Sequence, residues 1–330
     1  KLQIVWPNVI IMIALHIATI VGYWQMVNGS AKRLSGVFFF LVAIMSSFGI
    51  LAGAHRLWSH RAYRAKWPLR ALLAALQTMA LQNSIYEWSR DHRVHHRYSE
   101  TDADPHNAKR GFFFAHMGWL LCRKHPDVQQ KGKLVDMSDL WSDPIVRFQK
   151  QYYIPLVAIF WFVIPVSLPI YYLGETWQNS ILLNCFRYVL SLQNTWLVNS
   201  LAHMKGYQPY DRHISPRENH TVTYLSLGEG YHNYHHTFPW DYSASELGWK
   251  DNFNPATAFI DFFAWIGWAY DRKTPSPTVV NMRMARTGGY SRLQCRLSLS
   301  SLSILLDFIL GLLWITWPLW TANLLNYILY

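Results

Sequence analysis

From Leu34 to His60 the chain reads LSGVFFFLVAIMSSFGILAGAHRLWSH. Residues 34–54 carry no charge and match the roughly 20 apolar residues that a helix needs to cross a hydrocarbon core. The run ends directly on His55 and His60. A membrane span thus delivers two imidazoles to its own mouth, so the chemistry of this chain is expected beside a bilayer.

Three further apolar runs flank this one: Val9–Val27, Tyr152–Leu173 and Ile181–Leu201. The third run, from Tyr152, contains Pro155, Pro165 and Pro169, which membrane helices tolerate when neighbours satisfy the freed carbonyls. Only 28–33 separates the first two runs and only 174–180 the last two, so they read as two helical hairpins. The expected fold is an all-α membrane protein. Four transmembrane helices in two hairpins (9–27, 34–54, 152–173, 181–201) would carry a helical catalytic domain built from 55–151 and 202–287. Both parts then share one side. The Lys/Arg-rich texture after the second span (Arg56, Arg61, Arg64, Lys66, Arg70) makes that side cytoplasmic by the positive-inside rule. Leu69–Trp88 and Phe253–Tyr270 read as amphipathic segments, interfacial or packed under that domain.

Of 330 residues, 51% are apolar and 15% charged, against about 25% charged in an ordinary soluble domain. The net charge of +11 suits an anionic membrane surface or an anionic substrate. The long apolar segments leave too little soluble surface for a nucleic-acid partner. Cys122, Cys185 and Cys295 have neither metal nor disulfide spacing and read as structural thiols. The chain opens on Lys1, so its natural start is expected upstream. The first apolar run is too long for a cleavable signal peptide. Residues 288–330 form an atypical C-terminal segment. Its Ser/Leu-rich lead-in precedes an extra hydrophobic helix, Leu302–Tyr330, read as a fifth span, an interfacial helix or non-native sequence such as a translated intron.

Eight of 15 histidines fall into three clusters: His55/His60, His92/His95/His96 and His232/His235/His236. The i, i+3, i+4 spacing of the last two places three imidazoles on one helix face. Residues five apart diverge by about 140° on an ideal α-helix, so His55 and His60 suit a helix end. Crowding these rings without a metal would leave buried nitrogens unpaired at about 1–3 kcal/mol each. So many nitrogens exceed one metal's needs, so two metals are implied; imidazole suits zinc, copper, iron or nickel. His203, closing the fourth run, faces the same side, and Asn199 lies one turn before it. His16, inside the first run, reads as a packed or lipid-boundary residue, and His106, His116, His125, His213 and His220 lack cluster spacing.

At residues 53–61 (GAHRLWSHR), 87–122 (EWSRDHRVHHRYSETDADPHNAKRGFFFAHMGWLLC), 195–219 (TWLVNSLAHMKGYQPYDRHISPREN) and 228–246 (GEGYHNYHHTFPWDYSASE) the chain resembles the acyl-CoA desaturases. The likeness is to the animal, stearoyl-CoA type, with an insect-like texture, and runs from about residue 4 to Thr287. It implies two irons held by His55, His60, His92, His95, His96, His203, His232, His235 and His236, with Asn199 acting through water. It implies cis desaturation, most commonly Δ9, of a fatty acyl-CoA with O2, and electrons from cytochrome b5 and its reductase, in the endoplasmic reticulum membrane. No haem motif of this chain's own is present. The resemblance assigns coenzyme A contacts to Asn8, Asn83, Arg90, Asp91, Arg123 and Lys124, a kinked acyl tunnel to Gln82, Trp88, Thr195 and Trp196, and its far end to Ala43 and Ser47. One family lysine is replaced by Val128.

Histidine-box hydroxylases and acyl-lipid desaturases share the clusters but not these long matches. A membrane zinc-binding or transport protein would place its ligands at mid-membrane, whereas these histidines sit beyond the span ends. Asn28 and Asn219 sit in glycosylation patterns, the first too close to the bilayer and the second on the cytoplasmic side.

Overall fold

The chain is described for residues 2–289 and 301–330 in a computed structural model; Cys295 and the rest of 290–300 lie outside the described residues. Helix α1 spans Trp6–Val27 and α2 spans Arg33–Phe48, which runs on without a break into a π-helix, Gly49–Ser59. Then come α3 (Trp67–Ala80), α4 (Ile85–Tyr98), a series of short helical turns, and α5 (Tyr153–Leu173), itself wound as a π-helix over Ala158–Val163. They are followed by α6 (Trp177–Met204), α7 (His220–Leu225), α8 (His232–Thr237), α9 (Pro255–Trp265), α10 (Ser301–Ile315) and α11 (Trp317–Leu329). Two short antiparallel strands, Arg64–Ala65 and Ala269–Tyr270, pair Arg64 with Tyr270.

Among the described residues, three helices are long and apolar enough to cross a membrane: Trp6–Val27, Arg33–Ser59 and Tyr153–Leu173. Their outer faces are greasy, with Ile10, Ile13, Ile17, Ile20, Leu41, Ile154 and Tyr172 exposed; surface of this kind faces lipid. The helix expected as a fourth span is present as α6 but is not among the three. Its polar side chains lower its hydropathy because they point inward. Asn184 donates to the Trp161 carbonyl at 3.0 Å, Arg187 to that of Met79 at 3.0 Å, and Ser180 to that of Val166 at 2.6 Å.

The end of the molecule remote from the histidines is tied by its loops. Lys32 donates from its ammonium to the Leu173 carbonyl and from its amide to Glu175, while Asn179 donates to the Ser30 carbonyl. Close helix packing supports this: a Cβ on Gly22 of α1 would sit 2.6 Å from the Leu182 carbonyl oxygen of α6. At the other end a core of Leu57, Trp58, Leu69, Leu73, Ile85, Leu140 and Ile260 lies between α3, α9 and the π-helix. The single segment expected over Leu69–Trp88 is in fact two helices. Leu81 and Asn83 take left-handed φ of 49° and 66°, which ends α3, and Ser84 with Glu87 forms a capping box that starts α4.

The C-terminal pair α10–α11 bends by 64° between Ile315 and Trp317, where Pro318 opens the second helix. It is docked on the body of the protein. Asp307 accepts from the Tyr224 hydroxyl and the Phe253 amide, both at 2.6 Å. Thr321 meets the Tyr23 hydroxyl at 2.7 Å, and Asn326 donates to the Val27 carbonyl at 2.7 Å. The pair therefore starts beside the segment after α7 and ends beside the α1–α2 loop. The extra hydrophobic helix expected over Leu302–Tyr330 is instead a bent pair of helices, apolar enough together for a broken span or a re-entrant loop, and its lone carboxylate is satisfied by Tyr224 and Phe253.

Candidate metal centre

The π-helix explains the first histidine pair. Its i→i+5 hydrogen bonding stacks residues five apart, and the His60 amide donates to the His55 carbonyl at 3.1 Å. The pair does sit at a helix end, with His60 as the cap, but the expected divergence of about 140° presumed α-helical winding. Gly49, at its start, has no room for a side chain: a Cβ would lie 2.2 Å from the Gln77 nitrogen of α3. Arg93 of α4 donates to the carbonyls of Trp58 and Ser59 at 2.6 and 3.0 Å, pressing α4 against the π-helix. Glu218 accepts the Tyr234 amide at 2.8 Å and so holds α8 opposite.

These elements bring all nine expected histidines together in two groups. His55, His60, His92, His96 and His235 form one, and His95, His203, His232 and His236 the other. Within each group one ring nitrogen per residue lies within 4.8 Å of the rest. Carboxylates fix the tautomers of three rings. Glu229 sits 2.9 Å from His55 Nδ1, Asp104 2.9 Å from His95 Nδ1 and Glu100 2.8 Å from His203 Nδ1. Each acid accepts an Nδ1–H, which leaves the lone pair of a neutral ring on Nε2. Burial pulls His95 down, but the Asp104 carboxylate outweighs it and raises this ring, which must lose a proton to offer its Nε2. Yet His55 Nε2 faces His235 Nε2 at 2.9 Å, and His203 Nε2 faces His232 Nε2 at 3.0 Å. His235 Nε2 also lies 3.1 Å from His96 Nε2, and His232 Nε2 3.1 Å from His236 Nε2. One N–H cannot serve two facing acceptors, and the buried Nδ1 atoms of His232 and His235 have no hydrogen-bond partner among the described residues. Burial, deepened by neighbouring imidazoles, pushes His92, His96, His232, His235 and His236 well below the ordinary histidine range. Converging neutral nitrogens backed by carboxylates are what a metal centre requires, and two cations would satisfy them all.

The three carboxylates escaped the sequence reading, although each stands close to a histidine motif: Glu229 three residues before His232, Glu100 and Asp104 four and eight after His96. Burial would raise Glu229, but His55 and Arg56 hold it down at about 2. Arg56 itself is fully buried, with Nη2 2.7 Å from Glu229 and Nη1 2.8 Å from Thr257. Glu100 takes a left-handed φ of 57°, a strained conformation for a non-glycine residue that aims its carboxylate at His203. His106, set aside in the sequence, stands beside His95 with Nδ1 3.4 Å from Asp104. His16 and His116 bond to Gln193, and Asn219 caps α7 while donating to the Lys205 carbonyl.

Two cavities reach the histidines and a third opens beside them. The innermost is lined by Ser47, Ile50, Leu51, Thr195, Val198 and Leu227 with His55, His92, His95 and His232. Asn199 lines it too, one turn before His203. A second shares Trp88, His92, Thr195 and Asn199 with it and adds Gln82, Asn83, Asp91 and Trp196. At the elbow between them, Trp88 Nε1 donates to Gln82 at 3.4 Å and Gln82 to Thr195 at 3.2 Å. The third is polar, with Arg90, Asp91, Lys124 and Lys133 at its walls and Val128 among them, and it meets the second at Asp91. Arg90 and Lys124 both donate to Asp91. Asn8 and Arg123 line neither outer cavity: Asn8 donates to the Leu120 carbonyl, and Arg123 is exposed. Ala43 lines a separate small cavity beyond Ser47. The whole suits an amphiphile with a charged head outside and an apolar tail beside the nitrogens.

The fatty acid desaturase family model matches residues 31–248. The chain is 57% identical over 288 residues to an acyl-CoA Delta-9 desaturase of Acheta domesticus, covering 87% of this chain and 79% of that one. It is 55% identical over 289 residues to an acyl-CoA Delta12-desaturase of the same species (87% and 80%). It is likewise 55% identical over 287 residues to stearoyl-CoA desaturase 5 of Bos taurus (87% and 84%).

Proposed function

The chain belongs to the fatty acid desaturase family, and from that premise we propose that it is a di-iron acyl-CoA desaturase of the endoplasmic reticulum membrane. It would insert one cis double bond, Δ9 by the commonest precedent, into a saturated fatty acyl-CoA. O2, two electrons and two protons would be consumed and two waters released, with cytochrome b5 and its reductase as the electron source. The observation that carries this reading is the set of carboxylate-fixed lone pairs converging on two points at the wall of an apolar cavity.

The irons would be held by His55, His60, His92, His96 and His235, and by His95, His203, His232 and His236 with Asn199 through water. When bound, iron supplies the O2-derived oxidising strength that an unactivated methylene demands and that no side chain can provide. The protein's own task is position. Arg90 and Lys124 offer charge to the coenzyme A phosphates, with Asn83, Asp91, Arg123 and Asn8 as the remaining headgroup contacts. Gln82, Trp88, Thr195 and Trp196 bend the acyl chain, and the distance from that bend to the nitrogens decides which carbons react. Four spans, α6 included, would cross the bilayer and leave the histidines on the cytoplasmic side. Trp6, Trp67 and Trp265 at that end and Trp177 at the other are exposed, as interfacial belts require.

Expression in a desaturase-deficient yeast, with gas chromatography of the products, tests the reading. It requires monounsaturated product that disappears with His95→Ala. Product of equal yield from that variant, or none from the parent chain, contradicts it.

A further inference from the structure

Beyond Ser47, side chains of α2, α6 and α11 enclose a small distal gap, barely large enough for one water. Ser47 of α2 lines the chamber, and Ala43, one turn away on the same face, lines the distal space. On α6, Ser191 lines the chamber and its neighbour Leu190 the distal space. An extended tail lying along α2 and α6 past the histidines would point toward this gap and be stopped by its lining. Its one charged neighbour, Arg187, is occupied by Asn184 and the Met79 carbonyl at 2.8 and 3.0 Å, leaving an otherwise apolar wall.

What closes this space is the C-terminal pair. Pro318 and Leu319 of α11 line it opposite Gly36, and a Cβ on Gly36 would lie 3.7 Å from Leu319. The closure is held on both sides. Ile315 packs against Ile50, Leu51 and Leu227, all chamber residues, and Asp307 bonds to Tyr224 and Phe253 as described. A Cβ on Gly311 would lie 2.3 Å from the Phe253 ring, so α10 is seated without a gap. Beyond Leu319, the Thr321–Tyr23 and Asn326–Val27 hydrogen bonds fix α11 to α1.

We propose that Pro318 and Leu319 form the floor of the acyl tunnel and set the longest chain this protein accepts, a role that rests on the desaturase reading above. A floor built from a separate helix pair is adjustable without touching the histidines. Replacing Leu319 changes only the depth available to the terminal methyl.

The test uses the full chain in microsomes supplied with saturated acyl-CoAs of graded length. With Leu319→Ala, product from the longest accepted chain rises at least threefold relative to the next shorter one. With Leu319→Phe the ratio falls at least threefold. Gly36→Ala, which narrows the same space from the opposite wall, shifts it in the Phe direction and serves where a Leu319 variant does not accumulate. A parallel readout is thermal stabilisation of the purified protein by each acyl-CoA, whose length optimum moves with the same variants. Unchanged length preference in active variants overturns the floor while leaving desaturation intact. A parent chain inactive on every length overturns the reading beneath it, and the floor with it.

Discussion

The two histidine groups differ in how they are backed. The five-residue group has one carboxylate, Glu229, shared between His55 and the buried Arg56. The four-residue group has two, Asp104 on His95 and Glu100 on His203. The first trades ligand charge for an extra neutral nitrogen and spends its acid partly on an arginine. The second has fewer nitrogens made more basic by two acids. One group is therefore tied into the fold's electrostatics, and the other is backed mainly through its histidines.

The largest expected effect comes from removing a nitrogen. His60→Ala or His95→Ala lowers desaturation by more than about 100-fold, beyond the range typical of outer partners. Metal analysis would find the loss confined to the group that was cut. A loss from both groups equally would erase the distinction between them.

Next is Glu229→Gln. It strands the buried Arg56 charge, so unfolding stability falls by about 3–5 kcal/mol, read in a thermal or denaturant transition. Asp104→Asn, the same chemical change at the other group, leaves no arginine stranded. It weakens metal retention by about 10–100-fold with a smaller stability loss, about 1–3 kcal/mol. Equal destabilisation by the two variants would break the comparison.

A smaller effect is expected from Glu100→Gln, about 10-fold in metal retention, because Glu100 keeps some contact with solvent, which screens its charge, whereas Asp104 is buried. Measured chelator competition should rank it below Asp104→Asn.

The helices that carry the chemistry were legible where spacing is local. The i, i+3, i+4 histidines of α4 and α8 announce a shared face, and the apolar runs announce α1, α2 and α5. The π-winding of 49–59 was not legible, because it depends on α3 approaching Gly49, a contact made by residues far along the chain. Glu100 and Glu229 were missed for the same reason, since Glu100 reaches a histidine 103 residues away and Glu229 pairs with His55. Asp104 reaches His95 only nine residues back, but across turns that carry no periodic pattern. In α6 the inward turn of Asn184 and Arg187 gives a helix that apolarity alone understates. The C-terminal pair read as foreign because nothing in its own sequence names Tyr224, Phe253 or Tyr23 as partners.

The most direct measurement of the central claim is the iron content of the purified, full chain in a preparation that makes the double bond. Two irons per chain are predicted, falling when His95 is replaced by alanine. An active preparation holding no iron, or zinc in both positions, would contradict the account.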